Sequence, residues 1–197
     1  MEVVIEAKNG REMIEKLEQT PADIALLDIQ MPIMNGYDTC EAIVAKYKNM
    51  KIMMLSQVDS GDSISRVMKL GAHGYFTKNS DPEQLRYAIN SLNGRGFYFE
   101  QELGSVLRRL IVGEAISDKL EEPEPGETDL TEREIEIIWL TCKGLSSQEI
   151  ADKLCITART VEGHKSRLME RLEVKNFVGV ILYAIRHKFI KLEELYL

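Results

Sequence analysis

The stretch LLDIQMPIMNGYD, residues 26–38, shows how the first half of this chain is built. A short apolar run ends at the acid Asp28, and a helical pattern, with apolar residues at three- and four-residue spacing, begins at residue 35. The same succession occurs three more times: the apolar runs are 3–5, 52–55 and 75–76, and the helical patterns are 9–19, 60–71 and 81–93. Strands that alternate with helices predict an α/β fold, a parallel sheet with helices on both faces.

Two of the predicted helices have well-marked starts. Asn9 precedes Glu12 by three residues, and Asp81 is followed by Pro82, which is favoured at the first helical position. A further helix over about 99–112 is predicted to follow the fourth strand and helix.

Three polar residues stand where predicted strands end. Asp28 follows the run 24–27, Ser56 follows 52–55, and Lys78 lies just after 75–76. Ligands bind at the carboxyl ends of parallel strands, so an acid, a hydroxyl and an amine would converge on one edge. A carboxylate can attack phosphorus, and the amine and hydroxyl could then hold the phosphoryl oxygens. The alternative is that these residues merely begin three loops, and for any one of them alone that reading is favoured.

The segments LLDIQMPIMNGYD, IMMLSQ and GAHGYFTKNS closely resemble the receiver domain of two-component response regulators over roughly residues 1–95. The resemblance implies that Asp28 accepts phosphate from a sensor histidine kinase. It implies that Ser56 and Lys78 sense the phosphate and that the aromatic ring of Tyr75 swings inward. It also implies a Mg²⁺ site formed by Asp28, the main-chain carbonyl of Gln30 and a pair of acids.

The chain departs from the receiver pattern at its start. The family begins with another strand and helix, and that first strand ends in the pair of acids. Here the chain opens at what resembles the second strand, residues 2–6, and only 27 residues precede Asp28. The acidic pair is absent, so the expected Mg²⁺ site is incomplete. Three explanations are open: a truncated form of a longer product, which we favour, a degenerate receiver, or a strand supplied by another chain.

Charge is unevenly distributed along the 197 residues, whose net charge is −7. The stretch GEAISDKLEEPEPGET, residues 113–128, alone has a net charge of −5, with two prolines and two glycines. We interpret it as a solvated linker, and the alternative is a surface loop of a single domain. The predicted organisation is a receiver domain over 1–95, a connecting helix and acidic linker over 96–128, and a second domain over 129–197.

The second domain shows no strand signals and is predicted to be all-α. Thr131 with Glu134, and Ser146 with Glu149, form capping boxes, and Gly144 closes the first helix. These signals and the apolar spacing predict four helices, over about 131–143, 146–154, 158–172 and 176–189.

The segment LTEREIEIIWLTCKGLSSQEIADKLCITARTVEGHKSRLMERLEVKN, residues 130–176, closely resembles the LuxR-type helix-turn-helix module that follows receivers in NarL/FixJ regulators. In such a motif the second helix enters the major groove of DNA. On a helical wheel of 158–172, Val161, Leu168 and Leu172 form the core stripe. We predict DNA contacts from the remaining surface of this helix: Arg159, Thr160, Glu162, Gly163, His164, Lys165, Ser166, Arg167 and Arg171.

Each predicted contact suits a different part of the duplex. Arg159 can donate to guanine and Glu162 can accept from cytosine, while Gly163 lets the backbone approach closely. Lys165, Arg167 and Arg171 lie on the flanks and suit phosphates. Residues 157–191 contain eight Lys+Arg against three acids, a net charge of +5, although the whole chain is acidic.

Two positions limit what can be carried over from the family. His164 is either a phosphate contact or a structural histidine. The family often has a basic residue at the position of Ser166, so the base preference cannot be transferred.

Together the two resemblances imply a DNA-binding transcriptional response regulator controlled by phosphorylation. The implied partners are double-stranded promoter DNA, a sensor histidine kinase and, in the active state, a second copy of the chain. The last helix is either the dimer contact or a packing element within its own domain. The alternative function is a degenerate receiver that works without phosphorylation, as a protein-interaction module or a constitutive DNA binder. No enzymatic activity is expected beyond slow self-dephosphorylation.

The composition bears on cellular location. No apolar run reaches the roughly 18 residues that a membrane span needs. The N-terminus carries charges where a secretory signal needs an apolar stretch. Three cysteines at wide spacings fit neither a disulfide framework nor a zinc site. We therefore expect a cytoplasmic protein with reduced thiols.

Overall fold

The computed structural model describes residues 1–57, 61–79, 81–99, 107 and 130–191. The chain divides into two compact units, Met1–Glu100 and Gln101–Leu197. The predicted acidic linker over 113–128 lies outside the described residues. So does the predicted connecting helix over 99–112, apart from its residues 99 and 107.

The first unit is an α/β fold, as predicted. Its described elements alternate along the chain: α1 (Gly10–Leu17), β1 (Ile24–Asp28), α2 (Gly36–Lys46), β2 (Lys51–Ser56), α3 (Gly61–Leu70), β3 (Gly74–Thr77), α4 (Pro82–Arg95) and β4 (Tyr98–Phe99). The strands form one parallel sheet in the order β1-β2-β3-β4. The residues Ile52, Met53 and Met54 of β2 are all fully buried. Such a continuous apolar run is typical of a parallel strand that is covered on both faces.

One predicted strand of this unit is wrong, and one short strand was not predicted. Residues 1–7 form neither helix nor strand, although a strand was predicted over 2–6, and Val3 is 74% exposed. A strand needs a hydrogen-bonded neighbour, and β1 pairs only with β2 among the described strands, so nothing in the described sheet holds this segment. The strand β4 was not predicted: Phe99 pairs with Tyr75, but two residues are too few to leave a periodic pattern.

The predicted helix starts are confirmed. The side chain of Asn9 accepts from the backbone N–H of Glu12 at 3.0 Å, which caps α1. Asp81 caps α4 in the same way, with Pro82 as its first residue. Each cap satisfies a backbone donor that would otherwise have no partner within the helix.

The second unit contains four described helices: α5 (Glu132–Cys142), α6 (Ser147–Leu154), α7 (Ala158–Arg171) and α8 (Phe177–Arg186). Both predicted capping boxes are present, at Thr131 and Ser146, and Gly144 adopts the left-handed conformation after α5. A core cluster joins α5, α6 and α7 through Ile137, Leu140, Ile150, Ala151 and Val161. On α8, Val178 and Ile181 are buried within this unit, so these two residues pack intramolecularly.

The three cysteines have different surroundings. Cys40 is fully buried on α2. Cys142 is partly buried, and burial raises the pKa of its thiol to about 12. Cys155 is exposed and lies in the turn after α6 with a left-handed φ of 54°. Among the described residues, no helix is long and apolar enough to cross a lipid bilayer.

Acid should weaken the pairing of β2 with β3 through His73. Its Nδ1 accepts from the N–H of Ile52 at 3.2 Å, and burial, with a smaller effect of the Lys51 charge, lowers the pKa of His73 to about 4. When the pH falls below about 6.5, the ordinary pKa of histidine, His73 is protonated in the unfolded chain but stays neutral in the folded chain. We expect the opening free energy of β2 and β3 to fall by about 2 kcal/mol between pH 7 and pH 5.

Hydrogen exchange of the full chain, corrected for intrinsic rates, measures this loss. His73→Asn keeps an acceptor for Ile52 without a titrating ring and should show much less of it. An equal loss in both proteins would show that another group is responsible.

Candidate functional site

The carboxyl edge of the sheet brings an acid and an amine together. Asp28 is the last residue of β1, and its Oδ2 accepts from the Lys78 ammonium in a short ion pair. The other carboxylate oxygen, Oδ1, accepts from the N–H of Gln30 at 3.0 Å. Both charged side chains are one-third exposed, so the pair lies open to an incoming group.

Backbone packing fixes the position of Asp28. A Cβ at Gly36, the first residue of α2, would lie 2.2 Å from the main-chain oxygen of Asp28. Only glycine allows the helix to approach this closely. The N–H of Gly36 donates to the carbonyl of Ile29 at 3.1 Å, which ties α2 to the loop directly after the acid.

The other two predicted phosphate-sensing residues lie on the neighbouring strands. Ser56 ends β2 and is largely buried, and its main-chain oxygen accepts from the N–H of Lys78 at 2.7 Å. Tyr75 lies within β3, opposite Met54, and its side chain is buried. The edge therefore contains Asp28, Ser56 and Lys78 at strand ends, with Tyr75 three residues before the amine.

The residues that the structure describes do not form the acidic magnesium site that the resemblance implies. Asp28 offers one carboxylate and Gln30 one main-chain carbonyl. In the part of the chain that the structure describes, no group of three or more His, Cys, Asp or Glu side chains could hold a metal ion. Both oxygens of Asp28 already accept protein hydrogen bonds, one of them from an ammonium. Mg²⁺ demands near-octahedral oxygen coordination, so these donors fit it poorly.

The second unit presents a helix-turn-helix. Helices α6 and α7 are joined by residues 155–157, and Thr157 caps α7 by accepting from the N–H of Thr160 at 3.1 Å. The predicted core stripe is confirmed at Val161 and Leu168, which are fully buried, and Leu172 is partly buried. The opposite surface of α7 is left to solvent.

Most of the predicted DNA-contacting residues lie on that surface. Those classed as exposed are Arg159, Glu162, Ser166, Arg167 and Arg171, and those partly buried are Thr160, Gly163 and His164. The guanidinium of Arg167 donates back to the carbonyl of Gly163 at 3.1 Å, one turn earlier.

Lys165 is not where we predicted it. Its side chain is only 4% exposed, so the ammonium is not on the flank of α7 and cannot reach a phosphate from there. It points between helices, where its Nζ donates to Ser147 Oγ at 3.0 Å and lies 5.2 Å from the centroid of the Phe177 ring. The position explains this, because residue 165 follows Val161 by four and precedes Leu168 by three, which places it on the core stripe.

Sequence reasoning also missed an ion pair at the far end of α7. Arg171 donates to Glu134 at 2.9 Å, and Glu134 also accepts from the Thr131 N–H as part of the capping box. Burial opposes ionisation of Glu134, but the hydrogen bonds from Arg171 and Thr131 lower its pKa overall. The pair joins the end of α7 to the start of α5.

Comparison with known proteins identifies both units. Residues 1–90 match the response regulator receiver domain family, and residues 128–184 match the luxR family of bacterial regulatory proteins. Oxygen regulatory protein NreC of Staphylococcus epidermidis is 31% identical over 192 residues, which cover 97% of this chain and 88% of that protein. Transcriptional regulatory protein LnrK of Bacillus subtilis is 32% identical over 189 residues, covering 95% of this chain and 86% of that protein.

The chain belongs to the NarL-type response regulators. Among solved structures, the RcsB response regulator of Salmonella typhimurium aligns with 89% of this response regulator and 82% of that chain, at 24% identity and a TM-score of 0.46. Response regulator ChrA of a heme-sensing two-component system aligns with 95% of this chain and 85% of that one, at 28% identity and a TM-score of 0.41. The match to the luxR family and the similarity to curated regulators show that this response regulator is a DNA-binding transcription regulator with a LuxR-type helix-turn-helix.

Replacing Gly163 should have opposite effects on stability and on DNA binding in this response regulator. A Cβ there meets only Arg167 Nη2, at 3.7 Å, so Gly163→Ala fits the helix and should stabilise the second unit by about 0.5–1 kcal/mol. The same methyl would stand where the backbone is predicted to approach the duplex. We expect about tenfold weaker binding to a preferred duplex, the effect of a small steric misfit.

Denaturant unfolding followed by the fluorescence of Trp139, the single tryptophan, measures the stability, and anisotropy of a labelled duplex measures the affinity. A stabilised variant with unchanged affinity would show that Gly163 does not face DNA.

Proposed function

We propose that this response regulator accepts a phosphoryl group on Asp28 from a sensor histidine kinase, and that phosphorylation controls binding of α7 to promoter DNA. The observation that carries the proposal is the Asp28–Lys78 ion pair at the carboxyl edge of the sheet, with Ser56 at the end of the adjoining strand. A nucleophile, a cation and a hydroxyl in this arrangement suit phosphoryl transfer better than any other chemistry at this edge.

The transfer is a displacement at phosphorus. An oxygen of Asp28 forms the new O–P bond as the bond from phosphorus to the kinase's histidine nitrogen breaks, and the electron pair of that bond stays on the nitrogen. Lys78, which neutralises the free carboxylate, then pairs with the more highly charged phosphoryl oxygens. The hydroxyl of Ser56 donates to a phosphoryl oxygen, and the buried ring of Tyr75 on β3 responds to the movement of Ser56.

The resemblance to receivers implies Mg²⁺ as the cofactor of this reaction, and the described residues contain no group of three or more acidic side chains that could hold it. We therefore propose that phosphorylation of Asp28 in this chain is slow and depends weakly on Mg²⁺. One carboxylate and one carbonyl leave the ion most of its waters, so its affinity would be low.

The DNA-binding half of the proposal depends on the exposed side chains of α7. In this proposal Arg159, near the start of the helix, donates to guanine, and Arg167 contacts a phosphate; both side chains are exposed. Operators of helix-turn-helix proteins are commonly read by dimers, so we propose that the active form is a homodimer on a site with two half-sites.

Duplex binding by the full chain tests both the phosphorylation and the DNA-binding part of the proposal. The affinity is measured at several salt concentrations, with and without a small phosphodonor. We expect log K to fall steeply and linearly with log salt, because Lys and Arg displace counterions from phosphates. Phosphorylation should change the affinity by about 5- to 150-fold, the usual range of coupling free energies. Asp28→Asn should abolish the response to the phosphodonor.

Asp23→Asn is the matched control, because Asp23 is an exposed acid just before β1, at its opposite end. It should respond like the unaltered chain. Labelling of the Asp28→Asn variant would place the phosphate elsewhere. Rapid, Mg²⁺-dependent labelling of Asp28 would contradict the proposal that the ion binds weakly.

A further inference from the structure

Lys165 is a buried cation inside the DNA-binding unit. Its side chain is 4% exposed, although lysine is among the residues that are seldom buried. Removing an ammonium from water is expensive unless polar partners replace the lost hydration. Here Ser147 Oγ accepts from Lys165 Nζ at 3.0 Å, the carboxylate of Glu162 lies 4.0 Å from the same nitrogen, and the face of the Phe177 ring is 5.2 Å away.

The three polar groups form a directed chain of hydrogen bonds. Lys165 donates to Ser147 Oγ, and Ser147 Oγ in turn donates to Glu162 Oε1 in a short hydrogen bond. Successive donors polarise one another, so the lysine strengthens the bond that the serine makes to the carboxylate. Ser147 is the first residue of α6, and the chain therefore also joins the two helices of the helix-turn-helix.

This chain of hydrogen bonds, which we call the relay Lys165–Ser147–Glu162, ends at the protein surface with Glu162. Glu162 is 53% exposed and lies in the first half of α7, where base contacts of this motif concentrate. An exposed glutamate ordinarily loses side-chain entropy when it is ordered, which weakens any contact it makes. Because Oε1 is held from within the protein, that ordering is already present before DNA arrives, and Oε2 is left to accept a hydrogen bond.

We propose that Lys165 and Ser147 are positioning residues, and that the relay Lys165–Ser147–Glu162 sets the base preference of this regulator by aiming Glu162 at an exocyclic amino group in the major groove. Cytosine N4 is the donor that carboxylates commonly read there. The inference depends on the proposed role of α7 as the DNA-reading helix. It replaces the expectation that Lys165 contacts a phosphate.

The positioning role and a phosphate contact predict opposite results. A lysine that neutralises a phosphate contributes to binding of every sequence, and its removal lowers the salt slope by about one. A lysine that aims a carboxylate contributes only when the correct base is present. Its removal should leave the salt slope and non-specific affinity unchanged while discrimination at one base pair is lost.

In the experiment, the full chain first selects its preferred duplex from a pool of randomised duplexes. Its affinity is then measured on that duplex and on the single-base variants, at several salt concentrations. We expect the unaltered chain to prefer cytosine at one position by about tenfold. Lys165→Met and Ser147→Ala should each reduce that preference to about twofold or less, with unchanged salt slopes. Lys143→Met is the matched control, since Lys143 is also over an aromatic ring, Trp139, but is exposed.

Three outcomes would overturn the inference. A salt slope lowered by about one in Lys165→Met would indicate a phosphate contact, and equal loss on all sequences would indicate a purely structural role. If Lys165→Met fails to fold, as judged by Trp139 fluorescence, then Ser147→Ala decides, and an unchanged base preference in that variant refutes the relay. A complete absence of salt-dependent duplex binding by the unaltered chain would instead overturn the proposed function.

Discussion

The parallel pairing of β1 with β2 and of β2 with β3 is the constraint on which the receiver unit depends. Its register sets Asp28 opposite Leu55 and Ser56 opposite Thr77, so successive strands end at one edge. Side chains alternate between the two faces of a strand, so a slip of one residue would turn the side chain of Asp28 to the opposite face of the sheet. The register of the strands therefore also brings Asp28, Ser56 and Lys78 to the carboxyl edge of the sheet.

How much of this the sequence could predict depends on whether a feature is local. Helix starts such as Asn9, and the alternation of strands with helices, follow from neighbours in the chain and were predicted correctly. The failures at residues 2–6 and at β4 concern pairing between distant segments. Residues 2–6 have the composition of a strand but no adjacent strand in the described sheet, and Tyr98–Phe99 has a partner but almost no pattern.

In the DNA-binding unit, too, local features were predicted and contacts between distant segments were not. The core stripe of α7 followed from spacing, and spacing alone would also have placed Lys165 on it, but residue type suggested an exposed flank. What residue type could not reveal is the set of polar partners that makes burial tolerable, since Ser147 and Phe177 come from two other helices.

The unequal environments of the cysteines give this protein a built-in attachment point for a spectroscopic label. Thiol reagents react with the thiolate, which Cys142 forms only at extreme pH, and Cys40 is out of reach of solvent. Cys155 is exposed in the turn just before α7. A fluorophore or spin probe added to the unmodified sequence would therefore attach beside the start of α7, without any engineered cysteine.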